Sequence, residues 1–356
     1  MGTDTHGSSA TLRRTPPRRP FGTTDMRITR VGFGAWAIGG GGWAFAWGEQ
    51  ADPASIAAIR HAVSEGVNWV DTAAVYGLGH SEEIVARALR NMPRTGRPYV
   101  FTKCGLVWDE RNRSAPPRRV GKPESIRREC EASLRRLGVE RIDLYQMHWP
   151  AEDGTPLEDY WGTLLELKRE GKVRAVGLSN HSAEQLEAAE RIGHVDTLQP
   201  PFSAIHRGAA ARELRWCAAH ETGVIVYSPM QSGLLTGAFT AERAARLERG
   251  DWRAKSRDFT GEGLRRNLAL ADALKPVAER HGTTAGAVAV AWTLAWPGVT
   301  GAIVGARSPE QVDGWLAAAS LELTDADLDD IATAIERTRA GEGPARPHVS
   351  IDTIVQ

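Results

Sequence analysis

The chain has 356 residues, with Lys plus Arg and Asp plus Glu balanced at 44 each. Hydrophobic residues make up 42% and charged residues 25%, the balance of an ordinary globular protein. Such a balance gives no basis for a nucleic-acid or membrane partner, and no apolar stretch is long enough to span a bilayer.

From the start, residues 1–17 are rich in Ser, Thr, Arg and Pro, lack hydrophobic periodicity and read as a disordered tail. Arg13-Arg14 is followed by Thr15, two prolines and two further arginines rather than an apolar h-region, so no export signal is read and a reduced, cytoplasmic location is expected. From residue 18 to 356 the expectation is one barrel with a C-terminal helix and tail. Strand-like runs follow at Ile28–Gly34, Asn68–Asp71, Tyr99–Lys103, Ile142–His148, Val173–Ser179, Thr197–Pro200, Gly223–Ser228 and Val299–Val304.

Helical patterns separate them. Asp52-Pro53 reads as an N-cap with proline at the first helical position, opening Ser55–Glu65. From Pro123, residues Ile126, Cys130, Leu134 and Leu137 form one stripe that Gly138 terminates. Leu157–Glu170, Ala183–Ile192 and Ala209–Ala219 repeat the theme. Eight strands alternating with helices predict an α/β fold with a parallel sheet, closed as a (β/α)8 TIM barrel. Two long connections, Trp108–Lys122 and Gln231–Phe259, follow the third and seventh strands and so belong to the face where barrels place their active sites. The three cysteines, Cys104, Cys130 and Cys217, form no CxxC pair, so neither a disulfide framework nor a metal site is read.

Three consecutive strands end in ionisable residues, Asp71, Lys103 and His148, and Tyr76 lies just beyond Asp71. Singly, each has an ordinary structural role as cap, edge charge or core-edge ring. Jointly, they suit proton donation by a phenol. A buried ammonium needs an anionic partner, which Asp71 supplies. The ammonium is expected to lower the Tyr76 pKa, and His148 to donate a hydrogen bond to a substrate carbonyl.

The run Val70-Asp71-Thr72-Ala73-Ala74-Val75-Tyr76-Gly77-Leu78-Gly79-His80-Ser81-Glu82 resembles a signature of the aldo-keto reductases. Thr102-Lys103 and Gln146-Met147-His148-Trp149-Pro150 are similar to that family's lysine and histidine segments. The resemblance runs from about residue 18 to 338. It implies NADPH-dependent reduction of an aldehyde or ketone, with Asp71, Tyr76, Lys103 and His148 as tetrad and Tyr76 as general acid. NADPH/NADP+ is implied in extended form, without a Rossmann fingerprint.

The same resemblance implies a cofactor site. It comprises Gly34, Ala35 and Trp36 after the first strand, and Asp71, Ser179, Asn180 and Gln199 around the carboxamide. Tyr227 is implied to stack on the nicotinamide, with Ser228, Pro229, Met230, Gly233 and Leu234 reaching the pyrophosphate. Arg253 and Lys255 belong to a segment similar to the family's mobile loop, and Gly305, Arg307 and Gln311 resemble the adenosine-phosphate site. Ser308 is placed as N-cap and Pro309 as first helical residue, putting backbone N–H groups beside Arg307, an arrangement suited to the 2′-phosphate of NADPH. Trp36, Tyr76, Trp108, His148 and Trp149 are the expected substrate pocket. Gly314-Trp315, Phe202-Ser203 and Ser232 depart from the family pattern at or near the adenosine site. A small-molecule carbonyl is the expected partner. Two other readings remain: a non-catalytic NADPH-binding regulatory subunit, and a reductase dedicated to a sugar or secondary-metabolite ketone.

Overall fold

The structure, a computed structural model, describes residues 16–248 and 251–347. The expected disordered tail falls almost wholly on residues outside this range. Only Pro16 and Pro17 are described, in no regular element.

Eight parallel strands close into a barrel: β1 (Val31–Gly34), β2 (Trp69–Asp71), β3 (Tyr99–Cys104), β4 (Ile142–Met147), β5 (Val173–Ser179), β6 (Thr197–Gln199), β7 (Gly223–Val226) and β8 (Val299–Gly305). Each strand pairs with the next, and β8 returns to β1 through Gly305 opposite Gly34. The helices of the outer ring are α1 (Asp52–Ser64), α2 (His80–Leu89), α3 (Pro123–Leu137), α4 (Leu157–Arg169), α5 (Ala183–Glu190), α6 (Glu213–Ala219), α7 (Ala285–Leu294) and α8 (Pro309–Leu316). Gly138 ends α3 in the left-handed conformation, φ 65°, where a side chain would be strained.

The barrel holds its own core. Phe101, Leu144, Ala175, Ile225 and Ile303 point inward from five strands and meet Trp69, which is fully buried. A Cβ on Gly32 would lie 2.2 Å from the Trp69 ring, so only glycine lets β1 pass that indole. Below them a hairpin of Arg18–Pro20 and Arg27–Thr29 plugs the end of the barrel with Phe21, Met26 and Ile28. A second, larger core fills the space between strands and helices.

The first strand differs from expectation. Ile28–Gly34 splits at Arg30: Arg27–Thr29 belongs to the plug, and only Val31–Gly34 enters the barrel. Arg30 is turned outward, its guanidinium reaching the carbonyls of Leu294 and Leu321. Asp52 is not an N-cap either. Ala51 holds that position, and the Asp52 carboxylate pairs with His80 and Arg87 instead. Among the long connections, Arg118–Arg119 pairs with Leu106–Val107 as a small hairpin.

Candidate active site

The register of the barrel brings the strand ends together. Gly34 lies opposite Asp71, Asp71 opposite Phe101, and Lys103 opposite Gln146. Lys103 Nζ donates to Asp71 Oδ1 at 2.5 Å and to the Thr72 carbonyl at 3.0 Å. Gln199 Nε2 reaches the other carboxylate oxygen at 2.9 Å. Asp71 and Lys103 are 2% and 1% exposed, so the pair is shielded from bulk water and stands only because each partner and its hydrogen bonds compensate the other. Burial pushes the Asp71 carboxyl up and the Lys103 ammonium down, each charge opposing the shift of the other.

Tyr76 is set by an unusual backbone. Gly77 and Leu78 take φ of 61° and 57°, and a Cβ on Gly77 would lie 2.0 Å from the Gly39 carbonyl oxygen. The following residues bolt this turn to the barrel. Ser81 Oγ donates to the Ala35 carbonyl at 2.9 Å. Buried Glu82 accepts from Thr102 and Arg136, each at 2.6 Å. Sequence reasoning had given Ser81 and Glu82 no separate role.

The Tyr76 ring lies 5.3 Å from Lys103 Nζ, stacks on Trp36 at 6.1 Å and meets the His148 ring edge-on at 5.6 Å. The four tetrad residues therefore converge. One expectation is overturned: the Tyr76 phenol is raised well above its ordinary value, not lowered. Burial is the main cause, with the Asp71 charge second and Tyr227 adding to it. The Lys103 ammonium is already engaged by Asp71 and Thr72, so burial and the carboxylate prevail at the phenol.

His148 follows β4 and is held through its backbone. Its N–H donates to the Cys104 carbonyl at 3.0 Å, and its carbonyl accepts from Asn180 Nδ2 at 2.9 Å. Burial, then Lys103 and Arg119, keeps its imidazole well below the usual histidine range. The ring is therefore neutral at pH 7 and retains one N–H donor. Asn180 Oδ1 accepts from the Tyr227 hydroxyl at 2.8 Å, and Ser179 Oγ donates to the Gln199 carbonyl at 2.8 Å. Thus Ser179, Asn180, Gln199 and Tyr227 form one network around Asp71 and His148.

A cavity of about 1300 Å³ runs from this cluster to the start of α8. Its lining includes Gly34, Ala35, Trp36, Asp71, Tyr76, His148 and Trp149 from the first, second and fourth strand ends and the segments after them. Ser179, Asn180, Gln199, Tyr227, Ser228, Pro229, Met230 and Gly233 line it from the fifth to seventh, with Arg253, Gly305, Arg307 and Gln311. Among the described residues, three indole N–H groups of lining residues, on Trp47, Trp252 and Trp315, are buried without a hydrogen-bond partner. Ser228, Ser232 and Gly233 have positive φ of 57°, 52° and 101°, turning the backbone after β7 in a way suited to anion binding. A turned backbone, with Arg253 and Arg307 in the same lining, fits a dinucleotide with a pyrophosphate.

Several expected contacts fall elsewhere. Leu234 is fully buried in the outer core, so its side chain cannot face the cavity. Trp108 does not line it; its indole donates to Glu110, and it packs behind the wall beside Trp43 and Val75. Arg253 lines the cavity but is clamped by Asp251, with its guanidinium 4.8 Å over the Trp47 ring. Exposed Lys255 does not line it. Arg307 has no ion pair with Glu310 among the described residues. It donates instead to Gln50 Oε1 at 2.6 Å, Trp47 O at 3.2 Å and Glu49 O. Gln311 Oε1 accepts from the Arg307 backbone N–H at 2.9 Å rather than from Ser308, whose side chain makes no capping bond. Trp43, Phe45, Arg119 and Trp252 also line the cavity and had not been singled out. The aromatic density of residues 36–47 was a signal for Trp43 and Phe45.

A family model described as the Aldo/keto reductase family matches residues 30–336. The NADH-specific methylglyoxal reductase of Escherichia coli (strain K12) is 37% identical over 330 residues, covering 89% of this chain and 99% of that protein. An aldo-keto reductase of Schizosaccharomyces pombe, whose name carries NADP(+), is 26% identical over 323 residues, 90% of this chain and 92% of its own. Among solved structures, the glycerol dehydrogenase of Gluconobacter oxydans superposes with a TM-score of 0.82 at 36% identity, over 92% of this chain and 97% of that one.

Proposed function

The chain belongs to the aldo/keto reductase family, a family of carbonyl-reducing oxidoreductases, and from that premise we propose that it reduces a small aldehyde or ketone with NADPH, using Tyr76 as proton donor. The observation that carries this reading is the buried Lys103–Asp71 pair beneath Tyr76, beside a neutral His148, in a cleft of about 1300 Å³ that Arg307 also lines. A complete tetrad also favours catalysis over a purely regulatory binding role.

A bound reduced nicotinamide would supply a hydride to the carbonyl carbon. Gln199, whose Nε2 is committed to Asp71, would hold the carboxamide through its remaining oxygen. Tyr227 and Asn180, joined by a hydrogen bond, line the same cleft. His148 donates its imidazole N–H to the carbonyl oxygen and fixes the orientation of the substrate. As negative charge builds on that oxygen, Tyr76 gives up its proton, and the alcohol forms. The high phenol pKa keeps Tyr76 protonated across the physiological range. Transfer is still downhill, because an alkoxide is a much stronger base than a phenolate. Lys103 then faces a phenolate rather than a phenol, and its positive charge stabilises it.

The names of the relatives point to small, polar carbonyls such as methylglyoxal, while Trp36, Trp43, Phe45 and Trp149 would also accept a sugar or secondary-metabolite ring. On the cofactor, Arg307 beside the α8 N-terminus supports NADPH. A second reading, NADH, is favoured by the engagement of that arginine with residues 47–50 and by the name of the Escherichia coli relative. The test is absorbance of the reduced cofactor with methylglyoxal and a panel of aldehydes and ketones, using NADPH and NADH in parallel. Tyr76→Phe should bind cofactor normally and lose about 10²–10⁴-fold in kcat. Wild-type turnover by Tyr76→Phe on every accepted carbonyl would remove the proton-donor role.

A further inference from the structure

The segment between β1 and α1, residues 39–50, forms a strap along the cofactor cleft. Its Trp47 meets Trp36 edge-on at 5.3 Å and Trp252 at 5.9 Å, and the Arg253 guanidinium lies 4.8 Å from its ring. These partners come from the end of β1 and from the connection after β7. The third attachment is Arg307, just beyond β8. All three guanidinium nitrogens donate to the strap: Nε to Gln50 Oε1, Nη1 to Trp47 O and Nη2 to Glu49 O. Gln50 returns a bond from Nε2 to the Arg307 carbonyl at 3.0 Å, so it clasps the arginine from both ends.

We propose that the strap and the adenosine 2′-phosphate compete for Arg307, and that Gln50 sets the choice between NADPH and NADH by holding that arginine. The proposal rests on the nicotinamide reading above. A phosphate monoester is best held by two parallel N–H groups of a guanidinium, and those edges already face Gln50, Glu49 and Trp47. NADPH gains its contact only in molecules whose strap has let go, so its apparent affinity falls in proportion to the released fraction. NADH has no 2′-phosphate and binds with the strap fastened. Gln50 is a positioning residue: it lines a separate surface cavity of about 440 Å³ with Gly39, Gly40 and Gly41, and does not line the cofactor cleft. Its removal therefore loosens Arg307, leaving only the bonds to the Trp47 and Glu49 carbonyls, without deleting a cofactor contact.

The experiment measures the Kd of NADPH and NADH for the full-length protein and for Gln50→Leu, with hydrogen exchange of residues 43–50 in the wild type under each cofactor. A hydrogen bond to a charged group governs about tenfold in an equilibrium. Gln50→Leu is expected to tighten NADPH several-fold, up to about tenfold, and to change NADH less than twofold. NADPH should speed exchange in the strap relative to NADH. A purely structural role for Gln50 would weaken both cofactors equally, and that result, an unchanged Kd ratio, or equal exchange under both cofactors overturns the proposal. Failure of the wild type to bind either cofactor overturns the nicotinamide reading itself, and with it this one.

Discussion

Replacing Lys103 by Met isolates what the buried ion pair contributes to the fold. The variant keeps the length of the side chain but leaves Asp71, 2% exposed, with Gln199 Nε2 as its main remaining donor. Removing one partner of a buried pair costs about 3–5 kcal/mol, because the other charge stays desolvated. For a chain of this length that is a fall of about 4–7 °C in Tm. The loss must depend on pH. Burial already raises the Asp71 carboxyl above its ordinary value, and without Lys103 only the hydrogen bonds from Gln199 and Gln146 oppose that shift. A carboxyl whose folded pKa exceeds its unfolded value holds its proton more tightly when folded. Stability therefore falls as pH rises from about 4 towards the raised pKa, and levels above it. Melting curves for wild type and Lys103→Met at pH 5, 6, 7 and 8 should show a Tm gap that widens with pH. Adding Asp71→Asn to Lys103→Met should recover much of the loss, since both charges are then gone. A gap that is constant with pH and untouched by Asp71→Asn would refute the argument.

Two further expectations follow from the site. Because His148 is held neutral well below the usual histidine range, kcat/KM should show no His148 ionisation near pH 6.5; activity should fall only at more acid pH, where the imidazole gains its proton, and an acid limb centred on 6.5 that disappears in His148→Gln would contradict this. Arg307→Ala should weaken NADPH by about tenfold, at the low end of a lost charge-assisted contact because release of the strap already offsets part of it, while NADH binding stays nearly unchanged; titration with both cofactors reads this directly, and equal weakening would remove Arg307 from the 2′-phosphate site.

The sequence carried the barrel because its signal is local. Alternation of short apolar runs with helical stripes needs only neighbouring residues, and Gly138 or the Asp71 strand end can be read within a few positions. The tetrad was legible for a related reason. In a barrel each strand end arrives at the same rim, so Asp71, Lys103 and His148 needed no knowledge of which elements touch. Errors arose where a residue serves a distant partner. Arg30 interrupts a strand because carbonyls at Leu294 and Leu321 take its guanidinium, and Asp52 yields the cap to Ala51 because His80 and Arg87 hold its carboxylate. Leu234 and Trp108 fell on the wrong side of the cavity wall, a distinction that spacing alone does not encode.

The sign of the Tyr76 shift was missed for a deeper physical reason. Counting charges by type gives one ammonium near the phenol, and hence a lower pKa. In the folded protein that ammonium lies 2.5 Å from a carboxylate, and the carboxylate's charge adds to desolvation in raising the phenol. The lysine therefore contributes little until the phenol has lost its proton. From then on the phenolate competes with Asp71 for the same ammonium, and the interaction strengthens as the reaction proceeds. An interaction that grows toward the transition state raises kcat, whereas one equally strong in the resting enzyme would not. The same logic separates Lys103 from Arg307. The first is buried at a strand end where its partners are fixed by the barrel, and acts on the chemistry. The second contacts a loop 257 positions earlier in the chain, and acts on which cofactor enters.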